Sequence, residues 1–274
     1  YAREIQTPAF GNGLDGLLRT RADVLTGILN GVDANVWSPE RDALLPQRYG
    51  LDDAASGKAA AKAALRRRLG LDETPDAPLF GAVTRLSPQK GLDLLLPIVP
   101  ELITDGASLA VLGSGDSDLE AGFAAAAAAH PGRVAVVLGY DEALSHLIMA
   151  GADVVLVPSR FEPCGLTQLY ALRYGALPLV RRTGGLADTV VDSNAVTLAE
   201  GTATGFVFDD ESPQALREAA GRAFALYADR ASWARAVRQA MSRDFSWAAS
   251  ARQYEAVSAG LATSGVAPQQ ARLA

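Results

Sequence analysis

Apolar residues along this chain fall in short, nearly unbroken runs separated by longer stretches with helical spacing. Leu79–Thr84, Leu109–Leu112, Val134–Leu138, Val154–Val157 and Leu177–Val180 are apolar at almost every position rather than at alternate ones. That pattern predicts strands of a parallel sheet covered on both faces. Between them, Ala143, Leu144, Leu147 and Ile148 share one helical face, after an acidic start at Asp141-Glu142 and before a stop at Gly151. Leu166, Leu169 and Leu172 predict a second helix over Cys164–Tyr174. Leu92, Leu95, Leu96 and Val99 follow helical spacing too, but Pro97 predicts a kink or break there. The alanine run 124–129 reads as plain helix, because Ala is the best helix former. Strand-helix-strand alternation implies right-handed crossovers and an α/β fold built on a doubly wound parallel sheet.

The two ends depart from that unit. Residues 1–38 predict a helix over Leu14–Asp23 and a strand over Leu25–Leu29, and read as the tail of another domain with a linker. The doubly wound domain is expected over 39–245. Residues 246–274 are expected to form an amphipathic helix carrying Trp247 and Tyr254, then a frayed tail from Thr263. The start Tyr1-Ala-Arg-Glu4 lacks an initiator Met and a leader pattern, so a preceding N-terminal part is expected.

Composition narrows the partners. The chain has 274 residues, 49% hydrophobic and 20% charged, as a folded globular protein does. Its formal net charge of -6 gives no general footprint for nucleic acid or an anionic membrane. Any phosphate contact must come from a few placed cations. The single cysteine, Cys164, allows no internal disulfide and points to a reducing, cytoplasmic compartment. No apolar run approaches the roughly 20 residues that span a bilayer.

In an open α/β sheet, ligands bind beyond the carboxyl ends of the strands, so the segments after each strand hold the candidates. After the first run, Arg85 and Lys90 bracket one loop. Arg can grip a phosphate through two N–H groups and Lys adds a compact charge. Together they could neutralise a diphosphate without a metal, or they are two solvated cations. Cations at a helix start oppose the dipole, which weakens the second reading. After Val154–Val157 comes Pro158 to Thr167. Pro163 fits a first helical turn. Gly165 lets a ligand approach the backbone, and the N–H groups of Cys164, Gly165 and Leu166 could hold an anion or sugar hydroxyls. Thr167 adds a hydroxyl. Glu162 could accept from sugar hydroxyls or simply face the helix dipole. Cys164 has no nearby His to activate it and reads as a small buried hydrophobe. Tyr140, at a strand end, could stack on a base or could be a rim tyrosine. Gly113-Ser-Gly115 does not complete a dinucleotide fingerprint, because Leu119 stands at its last Gly position. Asp116 reads as a helix cap rather than half of a metal site. Arg182-Thr183-Gly184-Gly185 either closes the pocket or is a simple turn. His130 and His146 lack partners at metal-ligand spacing and read as structural. No metal and no cofactor is expected.

These segments, in this order, resemble the glycogen synthase and bacterial starch synthase family. The resemblance rests on Leu25-Thr-Gly-Ile-Leu-Asn-Gly-Val-Asp33, Arg85-Leu-Ser-Pro-Gln-Lys-Gly91, Val111-Leu-Gly-Ser-Gly-Asp116 and Gly139-Tyr-Asp-Glu-Ala-Leu-Ser-His146. The most discriminating stretch runs from Pro158-Ser-Arg-Phe-Glu-Pro-Cys-Gly-Leu-Thr167 through Arg181-Arg-Thr-Gly-Gly-Leu-Ala-Asp-Thr-Val190. Phe206-Val-Phe-Asp-Asp210 and Asp244-Phe-Ser-Trp247 add to it. The resemblance implies a two-domain GT-B glycosyltransferase of which this chain is the Rossmann-like C-terminal half. It implies retaining transfer of glucose from ADP-glucose to an α-1,4-glucan acceptor, with the missing N-terminal domain as partner. Carried over by position, Arg85 and Lys90 would hold the diphosphate. Glu162 and the backbone of Cys164 and Gly165 would hold the glucose. Thr167 would contact phosphate and Tyr140 would pack on adenine. Many related transferases carry a second Glu eight residues after the first, on the ribose. Here that position is Tyr170, which leaves the ribose contact unassigned. Three rival readings remain: an ADP- or ADP-glucose-binding module without activity of its own, a nicotinamide oxidoreductase, and a transferase for another nucleotide sugar.

Overall fold

A computed structural model describes residues 1–73 and 76–263. The five apolar runs are five strands: β1 Leu79–Val83, β2 Ser108–Gly113, β3 Val134–Leu138, β4 Val154–Val157 and β5 Leu177–Arg181. A sixth, β6 Phe206–Phe208, completes one sheet in the order β3-β2-β1-β4-β5-β6 with every pair parallel. The expected doubly wound architecture is therefore present. Three residues are too few to show a period, so β6 was not legible beforehand. Its register against β5, Leu179↔Phe206 to Arg181↔Phe208, makes it a strand. β1, β2, β4 and β5 are buried nearly throughout, as unbroken apolar runs require.

Helices follow local signals. Asp116 accepts from the N–H groups of Asp118 and Leu119, which begins Ser117–Ala129. Asp141 caps Glu142–Gly151 through the N–H of Leu144. The Leu92–Val99 pattern breaks at Pro97 as expected: Leu92–Leu95 and Val99–Thr104 are joined by a tighter turn at Leu96–Ile98. His130 ends the helix at Ala129. His146 is buried, with Nδ1 2.7 Å from Asp42 Oδ2, and Tyr174 donates to the same oxygen at 2.6 Å. Both histidines thus have structural placements.

Three expectations need correction. The helix over Leu14–Asp23 is only Asp15–Thr20 plus a short turn at Ala22–Val24, and buries no residue. Without packing, so short a helix gains nothing from extension. Residues 25–29 are not a strand, because no sheet edge pairs with them. The helix expected from Cys164 begins at Thr167 and ends at Arg173. Gly165 sits at φ +73°, and the Gln168 side chain folds back to donate to the carbonyls of Cys164 and Gly165 at 2.9 and 3.0 Å. Residues 164–166 form a bend ahead of the helix. The tail expected to fray lies, from residue 264, outside the described residues.

The N-terminal stretch meets the C-terminal helix Trp247–Thr263 beside the sheet. Val32 N–H donates to Phe245 O at 2.7 Å, and Ser250 Oγ donates to Leu29 O at 2.8 Å. No described helix is long and apolar enough to cross a membrane.

Candidate functional site

The strand order reverses between β1 and β4, and a crevice opens there at their carboxyl ends. The loop after β1 carries Arg85 and Lys90. The loop after β4 carries Glu162 to Thr167. Glycines let these loops touch backbone to backbone. Gly91 has φ +70°, and a Cβ there would collide with the carbonyl oxygen of Pro158. Gly184, at φ +44°, packs equally tightly on the carbonyl of Glu162. The Gly184–Gly185 segment is therefore more than a turn: Gly185 N–H donates to Glu162 O at 2.9 Å, and Gly184 N–H to Glu4 Oε1 at 2.6 Å.

Two hollows share the lining residues Val83, Thr84 and Thr167. The inner one, about 50 Å³, is lined by Lys90, Ser159, Glu162, Gly165 and Leu166. Lys90 Nζ lies 2.5 Å from Glu162 Oε2, and Ser159 Oγ donates to the same oxygen at 3.3 Å. Glu162 is only 8% exposed, so Lys90 neutralises an otherwise unfavourable buried charge. That is closer than the sequence indicated, which treated Glu162 apart from the cations. The outer hollow, about 390 Å³, is lined by Arg85, Gly113, Gly139, Tyr140, Tyr170 and Trp37. Arg85 is exposed and, among the described residues, holds only Gln89 Oε1, at 3.5 Å. Tyr140 lines this hollow and is 85% exposed.

The structure thus brings Lys90, Glu162, Gly165, Leu166 and Thr167 around one space, with Arg85 and Tyr140 around the next. Cys164 lines neither hollow. Burial, and the carboxylates of Glu162 and Asp188, push its thiol up, which opposes a nucleophilic role. Among the described residues, no cluster of three His, Cys, Asp or Glu could hold a metal ion.

Two features escaped the sequence reading. Tyr170, the residue in place of a second Glu, stacks on Trp37 at 3.9 Å, and Trp37 stacks on His146 at 3.8 Å. A carboxylate signal was sought there; an aromatic wall is found. Arg160, inside the most specific motif, gives four of its five N–H groups to Asp93, Pro88 and Glu211. Those partners lie 51 to 72 residues away in the chain, beyond any local signal.

Known proteins fit this arrangement. Residues 62–240 match the family Glycosyl transferases group 1. A glycogen synthase of Rhodopseudomonas palustris (strain HaA2) is 54% identical over 254 residues, 93% of this chain and 52% of that protein. One from Roseobacter denitrificans is 53% identical over 93% of this chain and 53% of its own length. The catalytic domain of starch synthase IV from Arabidopsis thaliana, bound to ADP and acarbose, superposes with a TM-score of 0.89 at 39% identity, over 96% of this chain and 54% of that one. Sucrose-phosphate synthase from Thermosynechococcus elongatus, at 22% identity and TM-score 0.59 over 87% of this chain and 53% of that one, shares the fold alone. The chain spans about half the length of the curated relatives it matches. With its motif order, its parallel sheet and its family match over more than half its residues, this chain belongs to the group 1 glycosyl transferases and is similar to half of a glycogen or starch synthase.

Proposed function

We propose that this chain binds ADP-glucose and, with the rest of its enzyme, transfers glucose to the non-reducing end of an α-1,4-glucan with retained configuration. The observation that carries this reading is the Lys90–Glu162 pair beside Thr167, in a hollow at the reversal of strand order. Support also comes from the ADP-bound starch synthase neighbour at 39% identity.

Lys90 gives one N–H to Glu162 and keeps two for a phosphate oxygen. Arg85 keeps nearly all of its fork. As the bond from the sugar to the diphosphate lengthens, negative charge grows on the leaving group. Fixed cations there stabilise the transition state more than the ground state. The anomeric carbon passes through an oxocarbenium-like state, and the acceptor hydroxyl attacks from the face the diphosphate leaves, passing its proton to the departing phosphate oxygen so that ADP is released. Glu162 Oε1 accepts from glucose hydroxyls, with the backbone of Cys164 and Gly165 beside it. Tyr140 covers the adenine, and Tyr170 with Trp37 forms the wall behind the nucleoside. Residues 1–38 and 246–274 serve as the links to a further domain that completes the acceptor groove. A single free cysteine, Cys164, suits a reducing, cytoplasmic setting.

Calorimetry with ADP and UDP on this chain tests the donor reading, with ADP expected to bind more tightly. Equal or reversed affinity would point to another nucleotide sugar, and NAD should not bind. A second reading is favoured by the chain's half-length match: by itself it binds the nucleotide and transfers nothing. A glucose-transfer assay on this chain and on the whole enzyme separates the two. Proton NMR of the first product, read for its anomeric configuration, tests retention.

A further inference from the structure

We infer that Arg160 is a positioning residue, which holds the loop of Lys90 and the loop of Glu162 at one spacing rather than binding the donor itself. An arginine at the mouth of a phosphate site invites assignment as a phosphate ligand. Most of its donors are already used. A guanidinium has five N–H groups, and four are taken by the protein here. Nη1 and Nη2 grip Asp93 Oδ1 and Oδ2 at 2.6 and 2.7 Å, a bidentate fork. Nη1 also donates to Pro88 O at 2.5 Å, and Nε to Glu211 Oε1 at 2.6 Å.

The backbone makes the same connection. Arg160 N–H donates to Gln89 O at 2.9 Å, and Gln89 Nε2 returns to Phe161 O at 3.2 Å. Arg181 Nη1 donates to Arg160 O at 3.0 Å, tying in the end of β5. Pro88 and Gln89 immediately precede Lys90, and Glu162 follows Arg160 by two residues. The latch therefore brackets the Lys90–Glu162 contact from both loops. Misplacing a charged group by about 1 Å can cost about 10²-fold in a preorganised site. The inference rests on the nucleotide-binding reading above and extends it to a residue outside the hollow's lining.

The test is calorimetric titration of ADP and of AMP into this chain and into Arg160→Gln, Arg160→Lys and Asp93→Asn. On the nucleotide-binding reading, Lys90 meets the phosphate that carries the sugar, which ADP has and AMP lacks. Arg160→Gln and the near-isosteric Asp93→Asn should each weaken ADP by about 10-fold or more while AMP stays within about 3-fold. Arg160→Lys should not restore ADP binding, because an ammonium cannot span both carboxylate oxygens and the Pro88 carbonyl. A general loss of stability would lower both affinities together and leave their ratio fixed, which overturns the inference. Recovery by Arg160→Lys with an indifferent Asp93→Asn would mean direct phosphate contact and would overturn it too. If the unsubstituted chain binds no ADP, the functional reading fails and takes this one with it. ADP binding with an unmoved ADP-to-AMP ratio sinks only the role of Arg160.

Discussion

Two groups of cations sit at opposite ends of the same six strands, and their chemistry differs. At the amino ends, Lys62 Nζ makes three bonds: to Asp153 Oδ2 at 2.8 Å, Ala77 O at 2.7 Å and Tyr227 OH at 2.9 Å. Lys58 Nζ also makes three, to the carbonyls of Ala150, Ala152 and Tyr174. Arg66 holds the carbonyls of Asp72 and Ala77. The two ammonium groups have no N–H left to give, and the one Arg66 nitrogen without a partner among the described residues, Nε, is buried. At the carboxyl ends, Lys90 spends one N–H on Glu162 and Arg85 makes one long contact. The difference is donor saturation, not residue type. A cation satisfied by main-chain carbonyls closes loops and helix ends; one left unsatisfied beside a hollow can take a ligand.

The contrast breaks most visibly at Lys62. Lys62→Met strands the buried Asp153 carboxylate and should destabilise the fold by about 3–5 kcal/mol in urea unfolding, while ADP affinity of the folded fraction stays unchanged. At the other end the pattern inverts. Lys90→Ala should lower kcat/KM of the whole enzyme by about 10²-fold, worth about 2.7 kcal/mol in the transition state. Lys90→Ala also leaves the buried Glu162 carboxylate unpaired, so its melting temperature should fall as well, but the signature here is the lost rate of the folded enzyme; unchanged kinetics would remove Lys90 from the mechanism. Arg85→Lys keeps the charge but loses the fork, so ADP should bind about 10-fold more weakly at constant stability.

Lys58 gives the sharpest sign. Burial lowers its pKa to about 8, against 10.5 in the unfolded chain. Between those values the unfolded chain holds the proton more often, so this group adds stability as pH rises from about 8 to 10.5. Below that window it is charged in both states and adds nothing further. Relative to Lys58→Met, the unsubstituted chain should therefore gain stability through the window, by at most about 1.4 kcal/mol per pH unit. A flat or falling difference in parallel urea titrations at pH 7.5 and 9.5 would rule this out.

Legibility followed the range of each interaction. The five long strands were readable because a strand covered on both faces must be apolar throughout. The caps at Asp116 and Asp141 and the break at Pro97 are decided within four residues. Lys90, Glu162 and Thr167 stood out by their place after strands. Their mutual geometry did not: the Lys90–Glu162 pair spans 72 positions. The start of the 167–173 helix was misplaced because a side chain, Gln168, took two carbonyls that main-chain N–H groups were expected to take.

By itself, then, the sequence determined the α/β architecture, the helix limits set by nearby caps, and the loops that carry chemistry. Only the tertiary structure decided which cations remain free, that Arg160 is spent on Asp93, and that Tyr170 backs onto Trp37 and His146. The physical reason is that periodicity and capping are properties of adjacent residues. Hydrogen-bond saturation depends on which distant carbonyls and carboxylates the fold carries to each donor.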